Sequence, residues 1–481
     1  MKKHLLWSVM IMVGLYAHTQ VSDWNNGGGN PARNALAMVN GPLTDSVLWQ
    51  DTPTGYFGMP GYIEGNKLVT MRFLDMDNAP IVCYNLITGD LLWENEITGM
   101  TGRSLPVGFR DNKVYAVRYT ESLHDTLYAF SADDGSKIWT AEVTVCPYIT
   151  ASATFAPNGD LFIEGYFNMY RIDHQTGQMI WETPVLPFVV GACEMSIYGS
   201  TGYTLEQIGG VAYLWAIDIE TGQKKYSHAI NETHPGGGLP QVPLMAGPDG
   251  TIYVQKQGDN ISAFTDTGSE LVLDWETEIF GNAPFSQMCV GPDGSVYAPS
   301  NGTVIRIDPD DGQILNHSAV ICNNPDLFQL RLSAAYNDLI FATNGENRVY
   351  AFTPDLTEVW SDYVPNLNTC GAVIGSNGLV AVSGSNIIKV YTPANFVGEE
   401  ECPEPEDLVI FPNPAVSMIH LQADEKYMGT AYVIYDLLGQ VVRSGKLGSL
   451  NTTIDLAGFP PGTYFLRLDN EKSNYYKIIR Q

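Results

Sequence analysis

The stretch MYRIDHQTGQMIW, Met169 to Trp181, decides the fold. A short run of β-forming residues ends at Asp173, a Thr176-Gly177 turn follows, and a second short apolar run closes on Trp181. Gly177 stands where a hairpin needs positive φ, which glycine adopts without a Cβ penalty. The same pattern returns as IVCYNLITGDLLW (Ile81 to Trp93), LYAFSADDGSKIW (Leu127 to Trp139) and LWAIDIETGQKKY (Leu214 to Tyr226). Self-similarity at a fixed period marks a repeat architecture, so this feature outranks local propensity.

The position held by Trp181 is held elsewhere by Trp49, Trp93, Trp139, Tyr226, Trp275, Asn316 and Trp360, at intervals of 41 to 49 residues. That interval suits four strands per unit. The turn glycine lies four residues before it at Gly89, Gly135, Gly177, Gly222 and Gly312; Gly268 has a longer spacer, and Leu356 replaces glycine in the last copy. A second hairpin in each unit is marked by Asn158-Gly159, Asp249-Gly250, Asp293-Gly294 and Asn377-Gly378. The reading is an all-β chain with an eight-bladed β-propeller. Trp49 has no three strands before it, and the strands between Ala372 and Tyr391 have no Trp strand after them, so the N-terminal strand is expected to complete the last blade and leave no open edge.

With these repeats in hand, Trp24 to Pro393, including the opening DWNNGGGNPARNAL, resembles the quinoprotein-alcohol-dehydrogenase-like propeller with its PQQ-type repeats. Quinone-dependent members use a vicinal disulfide, a calcium held by acidic and amide side chains, and a catalytic Asp. This chain has no Cys-Cys pair: its seven Cys stand singly at 83, 146, 193, 289, 322, 370 and 402. No cofactor is therefore predicted; calcium stays open, and PQQ is not expected. The acidic turns at Asp133-Asp134-Gly135 and Asp308-Pro309-Asp310-Asp311-Gly312 lack the distal Glu of a calcium loop and read as plain turns.

Catalytic signatures such as HExxH, a P-loop or G-x-S-x-G are missing from the sequence. The residues beyond the regular repeat gather in loops that follow the second and fourth strands of a blade, on one face. Such insertions mark binding surfaces of repeat folds. The ligand-face candidates are Asp75, Asp77, Arg103, His124, Tyr148, His234 and Arg331; no catalytic or metal-ligating residue is assigned. The expected function is a non-enzymatic binding or interaction module for an extracellular glycan or protein. An extracellular enzyme remains open as the alternative, either polysaccharide-cleaving or a degenerate quinoprotein dehydrogenase.

After Pro393 an acidic, Pro-containing linker, 394–407, leads to a new β pattern, 408–481, expected to form a small β-sandwich. Its Phe411-Pro412-Asn413-Pro414, the turn from Asp436 to Gly439, Pro461-Gly462-Thr463-Tyr464, and the basic Lys477 and Arg480 resemble the type A sorting domain of the type IX secretion system. That resemblance implies delivery by this machinery to the outer surface or the medium. At the other end, Lys2 and Lys3 precede the apolar run Leu5 to Tyr16, which is too short to span a bilayer; residues 1–20 read as a signal peptide and 21–393 as the propeller. No later stretch is long and apolar enough for a transmembrane segment in the mature chain. The formal charge of -28 repels phosphate backbones, which argues against nucleic acid as a partner.

Overall fold

The computed structural model describes residues 23–480, with 54, 56–60, 76–78, 96–102, 120–125, 146–151, 166, 186–194, 210, 231–243, 256–259, 282–285, 366, 368–370, 395, 397–407, 412–414, 416, 424–427, 436–440, 449–450, 461 and 469–474 outside the description. It divides into two compact units that meet in sequence at Phe396 and Val397.

Among the described residues the first unit forms eight successive sheets, antiparallel except for one short parallel strand added to the seventh. Sheet 1 runs from Tyr62 to Asn95, sheet 2 from Arg103 to Thr140, sheet 3 from Thr154 to Pro184 and sheet 4 from Ser196 to Ile230. Sheet 5 runs from Leu244 to Glu278, sheet 6 from Cys289 to His317 and sheet 7 from Arg331 to Tyr363. Sheet 8 takes three strands between Val373 and Tyr391, and its fourth is Val47–Asp51, paired antiparallel with Ile387–Tyr391. In sheets 1 to 7 the strands follow chain order from the innermost to the outermost, whereas in sheet 8 the outermost strand is the first in the chain.

The outermost strand of every sheet carries the same irregularity. The third and fourth strands slip register immediately before the Trp position, as where Cys83 faces Trp93 but Tyr84 faces Leu91, and the shift recurs in all the others. Such a bulge twists an exposed edge and spoils it as a template for another strand. It also turns the Trp side chain off its own sheet and onto the next. The indole N–H groups of Trp93, Trp139, Trp181 and Trp275 donate to the carbonyls of Ala132, His174, Ile219 and Pro309 in the following sheets. Trp360 of sheet 7 donates to Pro42, which leads into the closing strand of sheet 8. Trp49 on that strand donates to Leu86 in sheet 1, so the hooks return to their start.

The two degenerate copies keep the hook by other chemistry. Tyr226 donates its hydroxyl to Asp266, which also accepts from Tyr203 at 2.7 Å and from the Gly268 N–H at 2.7 Å. Asn316 donates to the Asp355 carbonyl, and beside it Leu356 holds φ 63° where other copies place glycine. In a regular copy a Cβ on that residue would meet the indole, at 2.6 Å in the case of Gly177 and Trp139. The small Asn316 leaves that room, and the buried Leu356 fills it. Asn316→Trp alone is therefore expected to destabilise by about 1–3 kcal/mol through overpacking. Combined with Leu356→Gly, most of that loss should return; a double-mutant cycle in urea that finds the two changes additive would refute the compensation.

A segment between Asp23 and Asn40 occupies the inner side of the sheets. Backbone carbonyls of Trp24, Asn25, Pro31, Ala32, Asn34 and Ala35 accept from the N–H groups of Ile63, Phe109, Ile197, Ala246, Val290 and Ala334, on sheets 1, 2, 4, 5, 6 and 7. Leu36–Ala37 then adds to sheet 7 as a parallel strand.

Among the described residues the second unit has two sheets. One joins Leu408–Phe411, Met418–Ala423 and Asn451–Asp455; the other joins Val441–Lys446, Ala431–Tyr435, Gly462–Leu468 and Tyr475–Arg480. Ile419, Leu421, Tyr432, Ile434, Ile454, Leu466 and Ile478 form their shared core.

Candidate functional site

Strand alternation fixes two ends for every sheet. At one end lie the first-to-second hairpins and, in sheets 1 to 7, the third-to-fourth hairpins, all tight turns. At the other begin the inner strands and end the second strands, and from it the chain crosses to the next sheet: after Thr140 it re-enters at Thr154, and after His317 at Arg331. That is the end bearing the insertions.

Arg331, the first residue of the sheet 7 inner strand, is buried with 8% of its surface exposed. Its Nη1 lies 3.4 Å from Oε1 of Gln287, and the Gln287 side-chain amide donates to the Gly27 carbonyl at 3.2 Å. The Gly27 N–H in turn donates to Oγ of Ser152 at 2.8 Å, which ties the central segment to the start of sheet 3. Tyr62, the first residue of sheet 1, faces the same place. Burial pushes its hydroxyl up to about 12, against the opposing pull of Arg33, Arg331 and a hydrogen bond with Ser152. Ser152, Gln287 and Arg331 are thus linked through the Gly27 backbone, with the Tyr62 phenol within electrostatic reach of Arg33 and Arg331.

Of the predicted ligand-face residues, Arg331 lies at this convergence and Asp75 is exposed just after the second strand of sheet 1. Arg103 begins the sheet 2 inner strand, so its backbone shares the same end. Asp77, His124, Tyr148 and His234 lie outside the described residues, as does the expected signal peptide at 1–20. Sequence reasoning missed Arg33, Tyr62, Ser152 and Gln287. The one signal available was the opening DWNNGGGNPARNAL, read there only as a mark of fold. In the second unit Gly462 starts a strand, Tyr464 is buried and donates to the Pro460 carbonyl at 2.7 Å, and Lys477 lies on the last strand. Pro412, Asn413, Pro414, Asp436 and Gly439 are outside the description.

The family described as outer membrane protein assembly factor BamB matches residues 36–189 and 168–318. The chain belongs to this PQQ-type repeat family. Residues 409–481 match the secretion system C-terminal sorting domain. The PQQ-repeat protein is thus secreted by the type IX route and works at the cell surface or outside the cell. Among the described residues no helix is long and apolar enough to cross a membrane. Solved structures agree on the fold. Quinohemoprotein alcohol dehydrogenase from Comamonas testosteroni is similar with a TM-score of 0.59 at 11% identity, over 82% of this chain and 83% of that one. BamB from Moraxella catarrhalis gives 0.51 at 12% identity, over 73% and 98%. The designed protein Ika8 gives 0.51 at 14%, over 73% and 99%. At such identities the likeness speaks for the β-propeller alone. No curated protein matches the chain.

Proposed function

We propose that the eight sheets are the blades of one closed propeller, that 408–481 is a β-sandwich tag, and that the propeller is a non-enzymatic binding module for an extracellular glycan or protein. The observation that carries the binding reading is the contrast between the two ends of the sheets. One end consists of minimal turns capped by their own side chains, such as Asp173 accepting from Gln175 and Thr176, or Asp218 accepting from Glu220 and Thr221. The other carries the long crossings and the Arg33, Arg331, Tyr62 convergence. Sequence spent on one face of a repeat fold serves recognition.

A quinone and its calcium fit these residues poorly. Cys83, Cys289 and Cys322 are buried thiols on separate elements, and burial pushes Cys83 up to about 12 and Cys322 to about 11. Two guanidinium groups at the convergence oppose a divalent cation. We therefore read the propeller as working without that cofactor.

The test is binding of the secreted protein to a panel of neutral and acidic glycans and surface proteins, followed by substitution. Asp75→Ala with Arg331→Ala should weaken binding about tenfold or more, whereas Asp134→Asn at the opposite end should leave it unchanged. Turnover of a polysaccharide, or dye reduction with calcium and quinone added, would replace this reading with an enzyme.

A further inference from the structure

We infer that residues 24–39 behave as a peptide ligand bound in cis, and that their seat on the inner strands, beyond the strand pairing in sheet 8, holds the propeller closed. A four-stranded blade has two edges. The outer edge is protected by its bulge, but the inner edge presents backbone N–H groups beyond which the blade's own four strands do not continue. Six of those groups receive a carbonyl from the central segment, at 2.8 to 2.9 Å. Sheet 3 is reached instead through the Ser152 hydroxyl, which accepts from the Gly27 N–H. Side chains add a second set of ties: Asn25 donates to the Phe109 carbonyl at 2.7 Å, Asn34 to the Ala246 carbonyl at 3.0 Å, and Ser196 to the Ala32 carbonyl at 2.9 Å. One short segment is therefore bonded to seven of the eight sheets.

Its composition answers to that seat. To turn past each inner strand in so little length the backbone must fold tightly, and Arg33 and Ala35 accordingly hold φ of 57° and 52°. Gly28 lies where a Cβ would stand 2.6 Å from the Arg33 Cα, a clash with backbone that no rotamer relieves. Asn26 and Asn30 bind the segment to itself, through the Gly28 N–H and the Asn34 side chain. The closing strand is a lesser device: four residue pairs on the outer rim, joining sheet 8 to the N-terminus at one point. The central segment is bonded to sheets 1 to 7, so splaying the ring at any joint among these seven must break its bonds. It also puts Gly27 and Arg33 at the floor of the insertion-bearing end.

The segment from Leu43 to Ser46 is exposed and separates the two devices. Replacing it with a protease recognition sequence in the full chain allows the folded protein to be cut there, which frees the central segment covalently while Val47–Asp51 stays attached to the ring. The cut fragment is expected to co-elute with the ring on gel filtration and to leave only in denaturant, as the ring unfolds. Hydrogen exchange at Ile63, Phe109, Ile197, Ala246, Val290 and Ala334 should stay slow until that point. Release of the fragment together with fast exchange at all six amides also supports the inference, because the ring then fails without its centre. Release with the remaining inner strands still protected would overturn it. Gly28→Val in the uncut protein provides a second reading: faster exchange at the same amides is expected, and unchanged exchange counts against the seat.

Discussion

Trp139→Ala should cost about 3–5 kcal/mol of unfolding free energy, the range for truncating a buried large aromatic. The indole is nine-tenths buried between sheets 2 and 3, lies 5.8 Å from the Tyr115 ring and donates to the His174 carbonyl at 3.2 Å. Truncation opens a cavity at a joint between sheets, where two rigid surfaces collapse poorly. Trp139→Phe keeps much of the area but loses the donor, so its additional cost beyond the lost volume should be about 1 kcal/mol. The decisive measurement is a cycle with Gly177→Ala. In the parent, the new Cβ meets the indole at 2.6 Å and the residue sits at φ 74°; without the indole only the conformational penalty remains. Gly177→Ala should therefore be markedly less harmful in the Trp139→Ala background. Urea midpoints showing Trp139→Ala within about 1 kcal/mol of the parent would remove the hook from any account of stability.

The hooks were legible in the sequence because their physics leaves a local trace. An indole needs a residue without Cβ beneath it, so Trp and Gly recur together at a fixed offset from a turn. The exceptions were legible only as gaps. Asn316 and Leu356 look like two independent losses, yet they are one compensated contact, because the residues meet across a joint between sheets 6 and 7. The central segment was harder still. Its bonds are largely backbone carbonyls directed at strands up to hundreds of residues away, and a carbonyl has no sequence signature. Arg33, Tyr62 and Ser152 converge for the same reason: each starts from a different sheet or from the segment itself, so no spacing relates them. The insertion loops were visible as departures from the period, but period alone assigns a face and does not place His124 or His234 in space.

Arg171→Ala is expected to be comparably severe, for an electrostatic reason. Asp160 closes the first hairpin of sheet 3 with only 5% of its side chain exposed. Arg171 reaches it with Nε at 3.1 Å and Nη2 at 2.9 Å, while Nη1 donates to Glu220 at 2.7 Å and to the Ile219 carbonyl at 2.9 Å in sheet 4. Asn158 and His174 complete the shell around the carboxylate. Removing one partner of a buried pair strands the other charge, which costs about 3–5 kcal/mol. Burial alone would push the Asp160 carboxyl up, but the hydrogen bonds from Asn158, His174 and Arg171, with the Arg171 charge, outweigh it and hold it below the usual carboxylate range. A depressed folded-state value means the ionised form stabilises the fold above the ordinary carboxylate value of about 3.9, and that this stability drains away as pH falls toward the folded value. The difference between the parent and Arg171→Ala should consequently be largest near neutrality and shrink below about pH 4. Asp160→Asn should flatten the acid limb of the parent's pH–stability curve. An Arg171→Ala penalty that stays constant from pH 7 to pH 3 would mean that the guanidinium acts through packing against Phe162, 5.8 Å from the ring centre, and not through the charge it neutralises.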